Sequence, residues 1–341
     1  MRAIRVVALV ALMVATAGYV GCRRTSEDSR EVVVYTSVDQ VYASQIAQRF
    51  TEKTGIAARL LTDTEAGKTT GLYRRLLAEK DRPRADVFWN GEICRTIQLA
   101  GEGLADDLSA LVPSDIPRRW VDPEGQWVAF SLRARVLVYS TNVIQPDDLP
   151  RTLEELTDEA WRGKVVMANP LFGTTATHMA ALYAAWGDEK TDRFIKALKA
   201  NDLRLVDGNA MVRDVVARGE APIGLTDTDD VFAGIEDDMP ISFILLDQDG
   251  MGTFAVPNTV MRVRGGPNPE EAKAFIRFLL SPEVEELLAR SRARQLPVRV
   301  SVPRPDELKT YADLKAMDVS YREVAERMES TARRVEEILL N

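Results

Sequence analysis

The chain has 341 residues, a formal net charge of −8 and a hydrophobic content of 45%. Its 52 acidic residues outnumber its 44 basic ones, which argues against a nucleic-acid-binding protein, because such proteins need clustered lysine and arginine. The length exceeds what one hydrophobic core ordinarily serves and predicts two lobes, and nothing after residue 22 is long and apolar enough to span a membrane.

The beginning of the chain has the pattern of a secretory signal. Arg2 and Arg5 precede an apolar run that ends at Gly21-Cys22. The cysteine after a small residue resembles the bacterial lipobox, in which it becomes acylated, and the alternative is an ordinary cleaved signal. Residues 23–30 are polar and predict a tether between membrane and domain.

Strand and helix patterns alternate along the first part of the chain, which predicts an α/β fold. Glu31–Tyr35 is a β-branched run typical of a buried parallel strand, and helical periodicity over Val41–Lys53 ends at Gly55. The other elements predicted in this part are strands at Ile56–Leu61 and Ala85–Trp89 and helices at Gly71–Lys80 and Ile93–Ala100.

The pattern changes near Trp127. Val128–Tyr139 predicts a long strand, and a long strand shared between two lobes can act as a hinge. A second α/β unit follows. Its predicted helices are Ala176–Trp186, Asp192–Ala200, Pro269–Leu280 and Tyr321–Leu340, and its predicted strands are Ala221–Leu225 and Ile241–Leu246. A further segment is predicted at Asn209–Arg218, and Thr253–Val263 is predicted to cross back to the first lobe.

These patterns give an expected division of the chain. The expected parts are a leader (1–22), a tether (23–30), a first lobe (31–130), a second lobe (131–255), a return to the first lobe (256–300) and a C-terminal helical segment that packs on the lobes (301–341). Only two cysteines occur, and if Cys22 is acylated, Cys94 has no internal partner. We expect Cys94 to be a small core residue.

Polar side chains follow several predicted strands, where the ligands of open α/β sheets gather. Ser37 and Asp39 stand at a helix start that suits an anion, although helix capping explains them equally well. Asn90 and Glu92 follow another strand, and a carboxylate there also gains from the helix dipole without any ligand.

Two further features suit an anion. Arg133 and Arg135 lie inside an apolar strand, where a guanidinium binds carboxylate, phosphate or carbonate, or else forms a structural salt bridge between the lobes. Gly173, Thr174 and Thr175 precede a helix and offer its N-terminal N–H groups.

An acidic stretch follows the strand Ala221–Leu225. Asp229 and Asp230 lie in it, and carboxylates are hard oxygen donors for Ca²⁺, Mg²⁺, Mn²⁺ or ferric iron that also pair with ammonium groups. The alternative is a solvated acidic helix start, but three aspartates in four positions exceed what one cap requires. His178, the only histidine, is expected to pack in a helix or lie on its surface rather than bind a ligand.

Six short motifs run in order along most of residues 31–300. They are Val-Val-Val-Tyr-Thr-Ser (32–37), Phe-Thr-Glu-Lys-Thr-Gly-Ile (50–56), Ala-Asp-Val-Phe-Trp-Asn (85–90), Arg-Ala-Arg-Val-Leu-Val-Tyr (133–139), Trp-Arg-Gly-Lys-Val (161–165) and Glu-Ala-Lys-Ala-Phe-Ile-Arg-Phe-Leu (271–279). This set resembles the ferric-ion-binding branch of bacterial extracellular solute-binding proteins. The resemblance implies a two-lobed type II periplasmic-binding-protein fold, in which each lobe is a mixed, mostly parallel sheet flanked by helices and crossing hinge strands join the lobes.

The resemblance also implies a metal site. Asp39 stands where the family has a ligand histidine, and Glu92 falls one position after its metal-binding glutamate. Asp229 and Asp230 align with adjacent tyrosines whose phenolates bind iron in the family. This departure keeps oxygen donors but replaces phenolates with carboxylates.

An anion subsite is implied beside that metal. Arg133 matches an arginine that holds an anion, and Gly173, Thr174 and Thr175 match the turn that contacts it. Ser37 and Asn90 complete the expected ligand contacts.

The leading hypothesis is a periplasmic or extracellular binding protein, monomeric and lipid-anchored at Cys22, that delivers cargo to an ABC permease. The cargo would be Fe³⁺ or another hard cation with a carbonate- or phosphate-like anion, and no catalytic cofactor is expected. One alternative keeps the fold but binds an organic phosphonate, phosphate or aminophosphonate. The other is a secreted carboxylate-based hydrolase, although the sequence contains no HExxH, GxSxG or P-loop pattern.

Overall fold

A computed structural model describes residues 30–63, 70–309 and 313–340. The predicted leader and nearly all of the predicted tether, with Cys22, lie outside the described residues. The strands are β1 (Glu31–Thr36), β2 (Ala57–Thr62), β3 (Val87–Asn90), β4 (Val128–Ser140), β5 (Val165–Ala168), β6 (Arg204–Val206), β7 (Ile223–Asp227), β8 (Ile241–Ile244), β9 (Ala255–Arg262) and β10 (Leu296–Pro297). The helices are α1 (Gln40–Thr54), α2 (Thr70–Ala78), α3 (Ile93–Gly101), α4 (Gly173–Trp186), α5 (Asp188–Ala200), α6 (Asn209–Ala217), α7 (Thr228–Glu236), α8 (Pro269–Leu279), α9 (Pro282–Arg290), α10 (Asp306–Lys309) and α11 (Tyr321–Leu339).

The first βα unit follows the predicted pattern closely. The β-branched residues of β1 are pleated between β2 and β3, with parallel pairing on both sides. Helix α1 buries the face formed by Ile46, Ala47 and Phe50. Gly55 then ends the helix in the left-handed conformation (φ 71°), and its N–H donates to Thr51 O at 2.9 Å.

Strand β4 changes its pairing partners halfway along its length. Its first part, Val128–Ala134, runs antiparallel to β9. Its second part runs antiparallel to β7 over Arg135–Tyr139 and, along the opposite edge, to β8 over Leu137–Ser140. The sheet order β2-β1-β3-β9-β4-β7-β5-β6 therefore passes through β4, with β8 and β10 also pairing with it. The predicted long strand is confirmed, and Arg133 and Arg135 stand on either side of the change of partners.

Parallel pairing recurs on the far side of β4, where β5 lies between β6 and β7. Helix α6 approaches β7 closely at Gly224, where an added Cβ would lie 2.5 Å from a methyl carbon of Val212 and 2.8 Å from one of Val166. The absence of a side chain at Gly224 thus sets the position of α6, and with it that of Asn209 at the start of the helix.

Several boundaries differ from the sequence-based prediction. Helix α4 begins at Gly173 rather than Ala176, so that the predicted turn is the first turn of the helix. Strand β7 runs directly into α7, which places Asp227 at the end of a strand and Asp229 and Asp230 in the first turn of a helix rather than in a loop. The short strand β6 and the helix α9 were not predicted.

Helix α11 packs against α3, α4 and α5. Its start is capped by Ser320, whose hydroxyl accepts a hydrogen bond from the N–H of Glu323 at 3.4 Å. The division into lobes stays a prediction, and α11 contacts elements from both predicted lobes. Within the described ranges, no helix combines the length and apolar character required to cross a bilayer.

Candidate functional site

A cavity of about 530 Å³ opens where the ends of several strands and helices meet. Ser37 and Asp39 contribute from the predicted first lobe, and Arg133 contributes from β4. The rest of the lining comes from the predicted second lobe: Ala168, Asn169, Phe172, Gly173, Thr174, Thr175, Asp207, Gly208, Asn209, Ala210, Met211, Asp214, Asp227, Asp229 and Asp230.

The floor of this cavity is organised around the buried carboxylate of Asp227, which is 2% exposed. Asp227 lies directly opposite Arg135 in the antiparallel register of β7 and β4, and Arg135 Nη1 donates to its Oδ1 at 2.7 Å. Its Oδ2 accepts from Thr174 Oγ1 at 2.6 Å and from Asn209 Nδ2 at 3.1 Å. Arg133 Nε lies 3.3 Å from the same oxygen.

These contacts fix the charge of the Asp227 carboxylate. Burial raises its pKa, but Arg135 and Arg133 more than offset this effect, and the pKa lies below its ordinary value. Burial likewise lowers the pKa of Arg133, whereas Asp229 and Asp227 raise it above its usual value overall. The Asp227 carboxylate and the Arg133 guanidinium are therefore both charged at neutral pH.

The starts of two helices meet at Asp227. Thr174, in the first turn of α4, accepts a hydrogen bond from Asn209 Nδ2 at 2.8 Å, and Thr175 Oγ1 donates to Asn209 Oδ1 at 3.3 Å. Gly173 has a φ of 55°, a conformation that a residue with a side chain adopts only with strain. The hydroxyls predicted to contact an anion are engaged with Asp227 and Asn209.

Asp229 and Asp230 lie at the cavity wall in the first turn of α7. Arg133 Nη1 donates to Asp229 Oδ2 at 3.0 Å, and Thr226 Oγ1 donates to Asp230 Oδ2 at 3.4 Å. Asp227, Asp229 and Asp230 each offer a carboxylate oxygen within 4.8 Å of the others. This spacing fits a hard cation, because oxygens on opposite sides of one ion at about 2.0–2.6 Å are about 4–5 Å apart.

Asp39 faces the acidic cluster from the start of α1. It is exposed, and its side chain makes no capping hydrogen bond to the helix. Tyr42 lies one turn later in α1, near Asp39 and Asp229, and it was not identified from the sequence. Burial, followed by the charges of Asp229 and Asp39, raises the pKa of Tyr42 to about 12, so that its phenol is protonated at neutral pH.

Three predicted ligand residues are engaged in ordering the β1–α1 and β3–α3 connections. Ser37 Oγ donates to Asn90 Oδ1 at 2.6 Å and accepts from the N–H of Gly91 at 2.9 Å. Glu92 caps α3, accepting from the N–H of Arg95 at 3.1 Å, and it is 1% exposed. Burial raises the pKa of Glu92. Of these residues, Ser37 lines the cavity, whereas Asn90 and Glu92 do not, and the ligand roles of all three stay predictions.

His178 and Cys94 lie in the interior. The imidazole of His178 stacks on Phe254 with ring centroids 5.7 Å apart. Burial and the neighbouring charge of Arg135 lower the pKa of His178 to about 3, although Asp227 acts in the opposite direction. The packed histidine and the core cysteine agree with expectation.

Several residues that line the cavity were not identified from the sequence. Asp227 was seen only as part of an acidic stretch, and Asn209 carried no signal beyond its position after a glycine. Their partners are far away in sequence: Arg135 precedes Asp227 by 92 positions. Asp207 and Asp214, on either side of the start of α6, were also missed.

Comparison with known proteins places the chain among extracellular solute-binding proteins. The model of a family described as bacterial extracellular solute-binding protein matches residues 98–323. Iron uptake protein A1 of Synechocystis sp. is 27% identical over 302 residues, which cover 86% of this chain and 82% of that protein. The major ferric iron-binding protein of Neisseria meningitidis serogroup B is 25% identical over 308 residues, covering 88% and 91%.

Solved structures give the same picture of the fold. The ferric binding protein from Campylobacter jejuni superposes with a TM-score of 0.82 at 23% identity, covering 90% of this chain and 99% of that one. Iron-bound HitA from Pseudomonas aeruginosa gives 0.81 at 23%, with the same coverage. The predicted fold class is confirmed: this chain has the type II periplasmic-binding-protein fold and belongs to the bacterial extracellular solute-binding protein family.

Proposed function

We propose that the protein is the binding component of an ABC importer and captures a hard metal cation of the iron type. The observation that carries this proposal is the convergence of Asp227, Asp229 and Asp230, whose carboxylate oxygens lie within 4.8 Å of one another at the cavity. The names of relatives support iron, since both the Synechocystis and the Neisseria proteins are named for it.

The three aspartates have different roles in this proposal. Both carboxylate oxygens of Asp227 accept hydrogen bonds from protein groups, so Asp227 anchors the site electrostatically. Asp229 and Asp230 supply the ligand oxygens, since they are only partly buried and line the cavity. Asp39 adds a carboxylate from the opposite wall when the lobes close, which removes water and strengthens the attraction to the cation.

The same contacts count against a phosphonate or phosphate as cargo. Such an anion needs guanidinium groups that point into the cavity, whereas Arg133 and Arg135 are paired with Asp227 and Asp229. No observation favours the hydrolase alternative, and the family itself is described by solute binding.

The family supports a proposal for location and partners. We infer a periplasmic or extracellular monomer that hands its cargo to the membrane subunits of an ABC permease. A lipid anchor at Cys22 is part of the proposal, although that residue lies outside the described ranges. Mass spectrometry of the N-terminal peptide from membrane fractions tests the anchor: a diacylglycerol adduct on Cys22 supports it, and an unmodified free N-terminus contradicts it.

Titration of the purified chain with ferric iron tests the metal assignment. Replacing Asp229 and Asp230 together with alanine should lower the affinity for iron by more than about 100-fold, since it removes two direct ligands. Replacing the adjacent pair Asp147 and Asp148 with alanine is the matched control, because these residues are exposed on a turn outside the cavity. Unchanged iron affinity in a folded Asp229→Ala, Asp230→Ala variant would refute the assignment.

A further inference from the structure

The cavity is lined mainly by acidic charges, and the Arg133 guanidinium group in its lining already forms ion pairs with them. Among the described lining residues, six are aspartates and one, Arg133, is an arginine. Arg133 contacts Asp227 and Asp229, and the neighbouring Arg135 contacts Asp227. A guest that enters this cavity therefore meets excess negative charge, which favours a cation and opposes a second anion.

The groups that suit an anion converge on one carboxylate of the chain itself. Asp227 accepts hydrogen bonds from Arg135, Thr174 and Asn209, and it lies beside Arg133. These are two guanidinium groups, a hydroxyl in the first turn of α4 and a side-chain amide, which together form a complete site for a carboxylate or a carbonate. The position that an external anion would take is filled by Asp227.

Backbone geometry holds Asp227 in this position. It lies at the end of β7, directly opposite Arg135 in the register with β4, and Thr174 approaches from α4. Removing the Asp227 carboxylate would leave Arg135 buried without its counter-charge, which is strongly unfavourable. An external anion would therefore have to displace a carboxylate that the fold already holds beside both guanidinium groups.

We propose that Asp227 is a built-in counter-anion and that the chain captures its metal cation without carbonate, phosphate or another co-bound anion. This inference rests on the proposed function for its cation, but its central claim concerns Asp227 and the two arginines. It assigns Asp227 a positioning role: the carboxylate neutralises Arg135 and contacts Arg133 at the floor of the cavity, beside the metal ligands Asp229 and Asp230 of the proposed function.

The first arm of the test uses metal-free protein and phosphate or bicarbonate as the probe. The parent chain should show no thermal stabilisation by either anion at millimolar concentration. Asp227→Ala should be stabilised by both, because the freed guanidinium groups take up the anion. Asp148→Ala is the control: it removes the same charge from an exposed turn outside the cavity and leaves the partners of Asp227 in place, so it should behave like the parent.

Asp227→Asn provides a second variant of similar volume in case the alanine variant fails to fold. It removes the charge but keeps one hydrogen-bond acceptor, and it should also gain stabilisation by phosphate. Anion binding by the metal-free parent that equals that of either Asp227 variant would overturn the proposal.

The second arm measures iron affinity with ferric iron supplied by two different chelators, nitrilotriacetate and citrate, with and without bicarbonate. After correction for each chelator, the affinities of the parent for free Fe³⁺ that are measured with the two chelators, and with and without bicarbonate, should agree within about threefold, or about 0.7 kcal/mol. In the Asp227 variants it should fall and be partly restored by bicarbonate or formate. A more than tenfold dependence of the parent on either the chelator or bicarbonate would refute the built-in anion.

The two proposals fail in distinguishable ways. If the parent chain binds no iron under any condition, the proposed function fails, and the metal-free arm still decides whether Asp227 fills the anion position. If the parent binds iron only with bicarbonate or a chelator, the function stands and the inference about Asp227 is wrong.

Discussion

His178 is a titratable group whose contribution to stability depends on its burial. It lies in the core against Phe254, near Arg135 and Asp227, and its pKa is lowered to about 3. The imidazole is therefore neutral in the folded protein over the range in which an unfolded chain would protonate it. Because the unfolded state binds more protons between the ordinary pKa of about 6.5 and the folded value, stability falls as the pH drops through this window.

The prediction concerns the pH dependence of the free energy of unfolding. Replacing His178 with glutamine should remove a slope of up to about 1.4 kcal/mol per pH unit below pH about 6.5. Urea unfolding at intervals from pH 7 to pH 5 measures this slope. Phe254→Leu, which disturbs the stacking but keeps the imidazole, should retain it. Equal slopes in the parent and His178→Gln would contradict the assignment of a neutral buried histidine.

Asp227 and Glu92 show why single residues were harder to predict than elements. The sequence placed carboxylates near the ends of strands. It did not indicate which of them would accept hydrogen bonds from neighbours in the sequence and which from distant strands and helices. Glu92 finds its donor three positions away in its own helix, at the N–H of Arg95. The partners of Asp227 lie on β4 and α4, and they are defined only once the strand register is set.

At the scale of elements, the packing of α6 on β7 determines where Asn209 meets Asp227. Gly224 permits this approach, since an added Cβ would also lie 3.0 Å from the carbonyl oxygen of Val166, which belongs to the backbone of β5 and has little freedom to move. The position of α6 therefore depends on residue 224 being a glycine.

Gly224→Ala should destabilise the protein by about 1–3 kcal/mol, because α6 or β5 must shift to admit the methyl group. It should also weaken iron binding by displacing Asn209 from Asp227. Gly101→Ala is the control: it lies at the end of α3 with no atom within 4 Å of the added Cβ, and it should be neutral or slightly stabilising. Urea unfolding and iron titration of both variants check the prediction, which fails if the two behave alike.

Elements with strong periodicity were predictable, and short or context-dependent ones were not. Helix α1 has a clear apolar face and an ending glycine, and β1 has an unbroken β-branched run, so that local sequence determined both. Strand β6 has three residues and no pattern of its own, because it forms by pairing with β5. The beginning of α4 was placed too late, since Gly-Thr-Thr has a low helix propensity that tertiary contacts override.

At the scale of the whole molecule, α11 joins parts of the chain that are predicted to belong to different lobes. It packs on α3 from the predicted first lobe and on α4 and α5 from the second. Its buried face includes Val324, Met328 and Val335, whereas its ion pairs with Asp188 lie at the surface. Apolar burial should therefore dominate the attachment of this helix.

Two substitutions on α11 separate these contributions. Met328→Ala should lower the free energy of unfolding by about 2–5 kcal/mol, because it leaves a cavity between packed helices. Arg327→Ala should cost less than about 1 kcal/mol, because its partner Asp188 is half exposed and solvent screens the pair. Urea unfolding of both variants gives the comparison. A larger loss for Arg327→Ala would show that surface charge holds the helix.

In the proposed function, the change of partners along β4 has a consequence for the release of the metal ion. Arg135 and Asp227 are joined through adjacent hydrogen-bonded strands, so a rotation of the predicted lobes about β4 should leave their separation unaltered. In the proposed function, unloading would then require only that the segment with Asp39 move away and water enter, while Asp227, Arg133 and Arg135 keep their arrangement. A binding protein of the proposed function would then take up another ion without rebuilding its binding surface, at little cost in reorganisation free energy.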